Sequence, residues 1–271
     1  MKATGVAETR RLNQLRVTAT AISDRARIAQ ALRGARVLSS CGEAGIQDLG
    51  ARSRFARLRK DRSVVEQGLV WPYLGIVASG ALQAVLAGES GREYSLFDAL
   101  PGDVFGEISF LDRGTTVLRY VAATDSTAVV LIPADRVRSE CAVNPVLAAA
   151  LSEAATKRTR TILDRFASHL ALPATNRVAN LLLEIAENER RGSGRALSDY
   201  TQVQLARMAG TTVREVVQRI LSGFQAAGIL QLERGRVILL DRAHLAQESQ
   251  EVARATPATN RSTSRPTSDR G

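Results

Sequence analysis

The residues whose types and spacing could do chemistry at a surface lie in the stretch TQVQLARMAGTTVREVVQR, residues 201–219. Apolar residues recur at helical intervals on both sides of Gly210, so the stretch predicts a helix, a turn and a second helix. Gly210 stands where a helix that ends in the left-handed region needs a glycine. Thr211 or Thr212 can cap the following helix by accepting from its free backbone N–H groups.

The second helix of this stretch buries its valines and presents charged and amide side chains on its other face. Arginine can pair bidentately with guanine, and glutamate can accept from the cytosine amino group. We therefore predict a major-groove reader in which bases are contacted by Arg214, Glu215 and Arg219. The residues predicted to make phosphate or auxiliary contacts are Thr201, Thr211, Thr212 and Gln218. The alternative is a helical hairpin whose charges only form a solvated face.

The segment QLERGRVILLD, which follows the second helix, alternates into two short strands around Arg234 and Gly235, and a hairpin behind a reading helix is a wing. The whole region resembles the winged helix-turn-helix of the Crp/Fnr family of bacterial transcription regulators, with the pattern L-A-x-x-x-G-T-x-R-E-x-V-x-R. The residues that fill this pattern are Leu205, Ala206, Gly210, Thr211, Arg214, Glu215, Val217 and Arg219. The departure is one additional residue in the turn, because Arg214 stands four positions after Gly210 where the family usually has three.

Upstream, from Leu58 to Pro133, short alternating runs are punctuated by glycines, which predicts a small antiparallel barrel or roll. The segments 76–80 (IVASG) and 101–107 (PGDVFGE) are similar to the strand-and-turn element and the P-G-D-x-x-G-E signature of the same family. The resemblance covers residues 58–245. It implies an α+β fold with an N-terminal antiparallel β-roll of the jelly-roll type, a long dimerisation helix and a C-terminal winged helix-turn-helix.

In nucleotide-binding members of the family, the P-G-D-x-x-G-E run opens a phosphate cassette. The resemblance assigns Gly106 to close backbone approach and Glu107 to a ribose hydroxyl. Those members carry an arginine ten residues later, but here the aligned pair is Val117-Leu118. Arg119 has the same strand parity as position 117 and could reach the pocket only through a shortened loop. The alternative is that Glu107 and its glycine simply shape a turn.

The segment NPVLAAALSEAATKRTRTILDRFASHLAL predicts a long helix with one small and apolar stripe. The stripe consists of Leu147, Leu151, Ala154, Ala155, Arg158, Ile162, Arg165, Phe166 and His169. The resemblance implies that the same helix of a second subunit covers it, in a parallel homodimer. Cyclic-AMP-binding members carry a Thr-Ser pair where this chain has Ile162-Leu163. We therefore expect no cyclic AMP, and either an apolar effector or none.

Other cofactors fit the residues poorly. An iron–sulfur cluster needs about four thiolates, whereas the chain has two cysteines, Cys41 and Cys141. The predicted roll has no histidine for haem, and His169 lies at the far end of the long helix. No metal site or cofactor is predicted. A redox role for the two thiols stays open beside the simpler interpretation of buried, inert cysteines.

Composition limits the partners. A net charge of +10 and a pI of about 10.6 favour a polyanion, and only 4% of the 271 residues are aromatic, which disfavours a base-stacking single-strand binder. The sequence has neither a membrane-length apolar run nor the apolar core of a signal peptide, so we expect no membrane partner and a cytoplasmic setting. No nucleophile–base pairing or phosphate-binding loop of the Walker type points to an enzyme.

The expected partners are double-stranded DNA carrying an inverted repeat, a second copy of the chain, and RNA polymerase as a further candidate. The predicted divisions are a partly disordered extension (1–39), the β-roll sensor (40–138), the dimerisation helix (139–172), the winged helix-turn-helix (173–246) and a disordered tail (247–271).

Overall fold

The computed structural model describes residues 22–88, 93–190, 195–211, 214–233 and 236–254. Its helices and strands are, in order, α1 (Ile22–Gly34), α2 (Glu43–Ala51), β1 (Arg54–Leu58), β2 (Ser63–Val65), β3 (Tyr73–Ser79), β4 (Leu82–Ala87), β5 (Glu93–Ala99), β6 (Val104–Phe105), α3 (Glu107–Asp112), β7 (Arg119–Ala122), β8 (Thr127–Pro133), α4 (Ala134–Val143), α5 (Pro145–Ala171), α6 (Ala174–Arg190), α7 (Gln202–Met208), α8 (Arg214–Ala226), β9 (Leu230–Glu233), β10 (Arg236–Leu239) and α9 (Arg242–Arg254).

Two four-stranded antiparallel sheets form the sensor domain, with strand orders β1-β8-β3-β6 and β2-β7-β4-β5. Strand β8, TAVVLIP, lies at the centre of the packing because both of its faces are buried. Val129 and Leu131 contribute to the core between the sheets, while Val130 and Ile132 contribute to the core beneath the helices. A strand buried on both faces reads as a continuous apolar run. The expected antiparallel roll and the α+β class are confirmed.

The N-terminal boundary differs from the prediction. Helix α1 belongs to the sensor domain, because Ile28 and Leu32 are 1% and 0% exposed and share a core with β8. The predicted extension over residues 1–39 is therefore wrong for its second half. The prediction missed this because arginines on the outer side of α1 make the segment polar in composition. Residues 1–21 lie outside the described part of the chain.

The long helix α5 has 27 residues and starts later than the predicted position 139, because α4 continues to Val143. Asn144 caps α5, accepting a hydrogen bond at 3.2 Å from the backbone N–H of Leu147, and a proline stands at the first helical turn. The helix ends at Ala171, just before Pro173, as a proline requires.

The C-terminal unit has its own core, built from α6, α7, α8, α9 and the β9–β10 hairpin. The wing tip at Arg234 and Gly235 lies outside the described residues. The predicted tail is wrong at its start, because α9 continues through Arg254. The Asn176 side chain ties α9 to α6 by donating to the carbonyls of Glu248 and Ser249 at 3.2 and 3.1 Å. Residues 255–271 lie outside the described part.

Candidate nucleic-acid interface and effector cassette

Helix α7 begins with a capping box. The Thr201 hydroxyl accepts from the Gln204 N–H at 3.2 Å, and the Gln204 side chain accepts from the Thr201 N–H at 3.0 Å. Two free donors of the first turn are thereby satisfied. Thr201, predicted as a phosphate contact, is exposed and also sets where the first helix of the motif starts.

The turn after α7 depends on Gly210, whose φ is +64°. The N–H groups of Gly210 and Thr211 donate back to the carbonyls of Arg207 and Ala206, at 3.3 and 2.9 Å, which is the Schellman arrangement. Thr211 is 8% exposed, and its hydroxyl donates to the Ala206 carbonyl at 3.3 Å. Thr211 therefore closes α7, and its predicted contact with DNA stays a prediction. Thr212 lies outside the described residues.

Helix α8 divides into two faces. Val217 and Leu221 are fully buried, so they fix the helix against α7 and the wing. The opposite face exposes Glu215, Gln218 and Arg219 together, as predicted. Arg214 is the first residue of α8, and its side chain lies outside the described part of the structure. The result is a rigidly held helix with an acceptor, an amide and a guanidinium on its free face.

The cassette begins at Gly106, which lies beside the Trp71 ring, and Glu107 then opens α3. Glu107 is 1% exposed, and its Oε1 accepts from Nε of Arg158 at 3.4 Å. Burial raises the pKa of Glu107, and the positive charge of Arg158 opposes that shift. Arg158 also donates to the Val104 carbonyl at 3.3 Å.

Sequence reasoning listed Arg158 as part of the helix stripe and missed its role in the cassette. The signal was present, because Arg158 stands between small and apolar residues of the stripe, Ala154, Ala155 and Ile162. Its guanidinium carbon lies 4.0 Å from the centre of the Phe97 ring, so its charge lies against the inside of the roll. The long helix thus delivers a cation to the cassette.

Tyr120 fills space beside the Glu107 carboxylate. Its ring lies 5.3 Å from the Phe105 ring and 6.5 Å from the Phe97 ring. Burial raises the pKa of Tyr120 first, and the Glu107 charge raises it further. The inner wall of the cassette is therefore formed by aromatic rings around one buried ion pair.

The residues predicted to line an apolar pocket separate in the structure. Leu118 is 2% exposed and belongs to the core of the roll, whereas Val117 is 44% exposed. Arg119 points away from that core and pairs with Glu93 on β5, so it does not reach the cassette. On α5, Ile162 packs against the core of the roll, while Leu163 is 61% exposed. The four apolar positions do not form one wall within a single chain.

The sensor sheet also holds the C-terminal unit. Asp98 at the end of β5 accepts from the Tyr200 hydroxyl at 2.7 Å and from Nη1 of Arg195 at 3.3 Å. The side chains of Asp98 and Arg195 are 7% and 9% exposed. Burial raises the pKa of Asp98, and the hydrogen bond from Tyr200 opposes that shift. No sequence motif singled out these three residues.

A second contact joins the end of α5 to the helix-turn-helix. The ring of His169 packs on Gly210 so closely that a Cβ atom there would lie 2.3 Å from Nε2. Its other face meets Tyr94 of β5, with ring centres 5.6 Å apart. Arg177 donates to the carbonyls of Ala209 and Leu172, at 2.8 and 2.6 Å. The motif is thus seated on both α5 and the sensor sheet.

Comparison with known proteins agrees with this geometry. Residues 55–144 match the model of a cyclic nucleotide-binding domain, and residues 176–248 match that of a Crp-like helix-turn-helix domain. A CRP-like cAMP-activated global transcriptional regulator of Mycobacterium tuberculosis is 30% identical over 195 residues, covering 70% of this chain and 85% of the relative. The chain belongs to the Crp/Fnr family of transcription regulators.

A cyclic AMP receptor protein of Thermus thermophilus is 31% identical over 187 residues, which are 68% of this chain and 82% of that protein. The crystal structure of a regulator of the family from Eubacterium rectale superposes with a TM-score of 0.65 at 20% identity, covering 80% of this chain and 99% of that one. These relatives regulate transcription and are not enzymes. Among the described residues, no helix is long and apolar enough to span a membrane.

Proposed function

We propose that this Crp/Fnr regulator acts as a homodimer that reads a specific sequence in double-stranded DNA through α8. The observation that carries the proposal is the division of α8: Val217 and Leu221 are fully buried, while Glu215 and Arg219 are exposed. A helix held by its inner face presents its outer face to the major groove in one orientation. The net charge of +10 adds attraction for the phosphate backbone.

The geometry of α5 supports the dimer, although through a face that shares only Phe166 with the predicted stripe. Most of that stripe packs within the chain: Leu147 and Leu151 are fully buried, and Arg158 pairs with Glu107. A second set of residues lies on the outward face at alternating intervals of three and four. This outer seam consists of Ala149, Ser152, Thr156, Thr159, Leu163, Phe166 and Leu170. Such spacing is the pattern of two helices packed side by side.

The seam is tested by sedimentation of charged variants. Leu163 and Leu170 are 61% and 89% exposed, so lysine at both positions costs the free chain little and places charges inside a dimer interface. We expect the double variant to sediment as a monomer. Leu240→Lys, at a residue 59% exposed outside α5, is the matched control and should remain dimeric. A wild-type chain that sediments as a monomer contradicts the proposal.

Two reading helices related by a two-fold axis lie about one turn of DNA apart, roughly 34 Å, so the operator should be an inverted repeat. Selection from a randomised DNA pool, with and without cyclic AMP, tests this directly. We expect the same inverted repeat in both arms. Selection of a single, non-repeated site would contradict the two-fold arrangement. RNA polymerase is the further partner we propose, to be tested by transcription from a template carrying the selected site.

We also propose that the sensor does not respond to cyclic AMP, although the relatives from M. tuberculosis and T. thermophilus are named for that nucleotide. Three observations support this. Val117 replaces the phosphate-binding arginine, Arg158 already neutralises Glu107, and Tyr120 fills the adjoining space. Calorimetric titration with cyclic AMP should give no heat of binding, with the M. tuberculosis regulator as the positive control. Tight binding would overturn this part of the proposal.

A second candidate is a neutral ligand rich in hydroxyl groups. Within the described structure, Oε2 of Glu107 is buried and has no hydrogen-bond partner, and a ligand hydroxyl could donate to it. The exposure of Val117 and Leu163 argues against the apolar ligand expected from the sequence. A thermal-shift screen of nucleosides and polyols separates these classes, with Glu107→Gln as the variant that should lose the response to a hydroxyl donor.

A further inference from the structure

Two cysteines about 100 residues apart in the sequence pack on the same apolar core at the base of α5. Cys41 follows Ser40, whose carbonyl accepts a hydrogen bond from Asn144 Nδ2 at 3.1 Å. Asn144 stands about one helical turn after Cys141. The same Asn144 amide reaches the Ser40 hydroxyl at 3.3 Å. One side of the thiol pair is thus clamped by hydrogen bonds between the two segments.

On the other side of the pair, side chains of the two segments meet at Gly45 of α2. A Cβ atom placed on Gly45 would lie 3.5 Å from Cβ of Cys41 and 3.1 Å from Oε1 of Glu140, the neighbour of Cys141. The segment that carries Cys41 and the Glu140 side chain of α4 therefore approach each other at this glycine. Cys141 packs on the same apolar core in which Cys41 is buried.

The same burial and the same carboxylate act on the pKa of both thiols. The pKa of Cys41 is raised to about 11, first by burial, then by the negative charge of Glu140, and then by Cys141 itself. The pKa of Cys141 is raised by burial and by Glu140. Cys41 is 8% exposed, whereas Cys141 is partly open to solvent, so small oxidants reach Cys141 first.

We propose that Cys41 and Cys141 form a reversible intramolecular disulfide, a redox modification site at the junction between the sensor domain and α5. The disulfide would join the segment that precedes α2 to the helix that leads into the Asn144 cap. It would therefore cross-link the N-terminal helices to the base of the long helix.

With a hydroperoxide as oxidant, the reaction has two steps. The Cys141 sulfur attacks an oxygen of hydrogen peroxide, the O–O bond breaks, and one water leaves as Cys141 becomes a sulfenic acid. The Cys41 sulfur then attacks the Cys141 sulfur and displaces a second water. Two electrons pass from the sulfurs to the peroxide, and the two thiol protons end in the waters. Because the thiolate is the nucleophile, the first step should accelerate as pH rises above neutrality.

Hydrogen peroxide applied to the full-length chain, followed by unfolding and maleimide labelling, tests the proposal. We expect the wild-type chain to lose both reactive thiols and two hydrogens of mass, with one cross-linked peptide containing Cys41 and Cys141. Dithiothreitol should restore both thiols. Because the disulfide closes a loop of about 100 residues, the oxidised chain should unfold roughly 5–15 °C higher than the reduced one.

Cys141→Ser and Cys141→Ala are the matched variants; both leave the Cys41 thiol free to be labelled after peroxide treatment. Their melting temperatures in reductant, compared with that of the reduced wild type, separate loss of the cross-link from loss of folding. Two outcomes overturn the proposal: both wild-type thiols still react after peroxide and unfolding, or the only disulfide found links two separate chains.

Discussion

Glu107 and Asp98 are both buried carboxylates of the sensor domain, yet their charges are neutralised from different directions. Glu107 faces Arg158 of α5, and Asp98 faces Arg195 and Tyr200 of the DNA-binding unit. Burial raises the pKa of both groups. One acid therefore ties the roll to the helix that carries the outer seam, and the other ties it to the motif that reads DNA. The sensor domain is thus joined to the outer seam helix by one buried carboxylate and to the DNA-binding unit by another.

The largest expected effect comes from removing the cation beside Glu107. Arg158→Ala leaves a carboxylate that is 1% exposed without its partner, and should lower the free energy of unfolding by about 3–5 kcal/mol. Urea titration measures this. Lys157→Ala, the neighbouring residue in an exposed pair with Glu153, should unfold like the wild type. Adding Glu107→Gln to the Arg158→Ala chain should recover the lost stability. If it does not, the unpaired Glu107 charge is not the cause of the loss.

A slightly smaller effect is expected at the contact between His169 and Gly210. Gly210→Ala introduces a side chain both at a φ of +64° and 2.3 Å from the imidazole, and should cost about 2–4 kcal/mol. Gly228→Ala is the matched control, because its φ is +72° and a Cβ atom there would meet nothing within 4 Å. That variant should cost only about 1 kcal/mol, from backbone strain alone. Thermal unfolding measures both variants. An equal loss of stability in the two would show that the contact between His169 and Gly210 contributes nothing.

Asp98→Asn tests the other half of the comparison. The amide keeps one acceptor for the Tyr200 hydroxyl but gives up the charge opposite Arg195, so we expect a loss of about 1–3 kcal/mol. The loss should fall on the attachment of the C-terminal unit and not on the roll. Hydrogen exchange should therefore accelerate in residues 195–211 and stay unchanged in β8. Faster exchange in β8 would mean that Asp98 supports the sensor core.

The smallest effect is a pH dependence. Burial, followed by the positive charge of Arg177, lowers the pKa of His169. As pH falls through the unfolded-state value of about 6.5, the unfolded chain gains the proton first, so the stability associated with His169 is present above that pH and is lost below it. The difference in melting temperature between wild type and His169→Gln should shrink as pH drops from 7.5 to 5.5. A difference that does not change with pH would contradict the neutral, buried imidazole.

Local patterns in the sequence predicted most of the fold and the reading helix. Each of these patterns lies within the element that it predicts. The apolar run of β8 predicts the roll, Gly210 predicts the turn, and the alternation after α8 predicts the wing. The pairs that give the site its electrostatics are different. Arg158 and Glu107 are 51 positions apart, and Tyr200 and Asp98 are 102 apart. Such pairing is decided by packing between elements, which no local pattern records.

Helix α5 shows a second limit. Two sets of residues run along it, the predicted stripe and the outer seam. The predicted stripe, which we expected a second chain to cover, packs mostly against the same chain. Leu147 and Leu151 are buried in the sensor core, whereas Leu163 and Leu170 stand outside. Periodicity identifies an apolar face but does not say which neighbour covers it. The boundary differences at α1 and α9 have a related cause, because these helices are mostly polar and are anchored by few buried residues, such as Ile28 and Leu245.

The length of α5 has a mechanical consequence. With 27 residues at about 1.5 Å each, it spans roughly 40 Å from the Asn144 cap to the end that contacts the helix-turn-helix. A tilt of only about 5° at the cap moves that end by roughly 3.5 Å, close to the 3.4 Å between successive base pairs. A tilt this small at the base of the sensor domain would therefore displace the helix-turn-helix by about one base pair along the DNA.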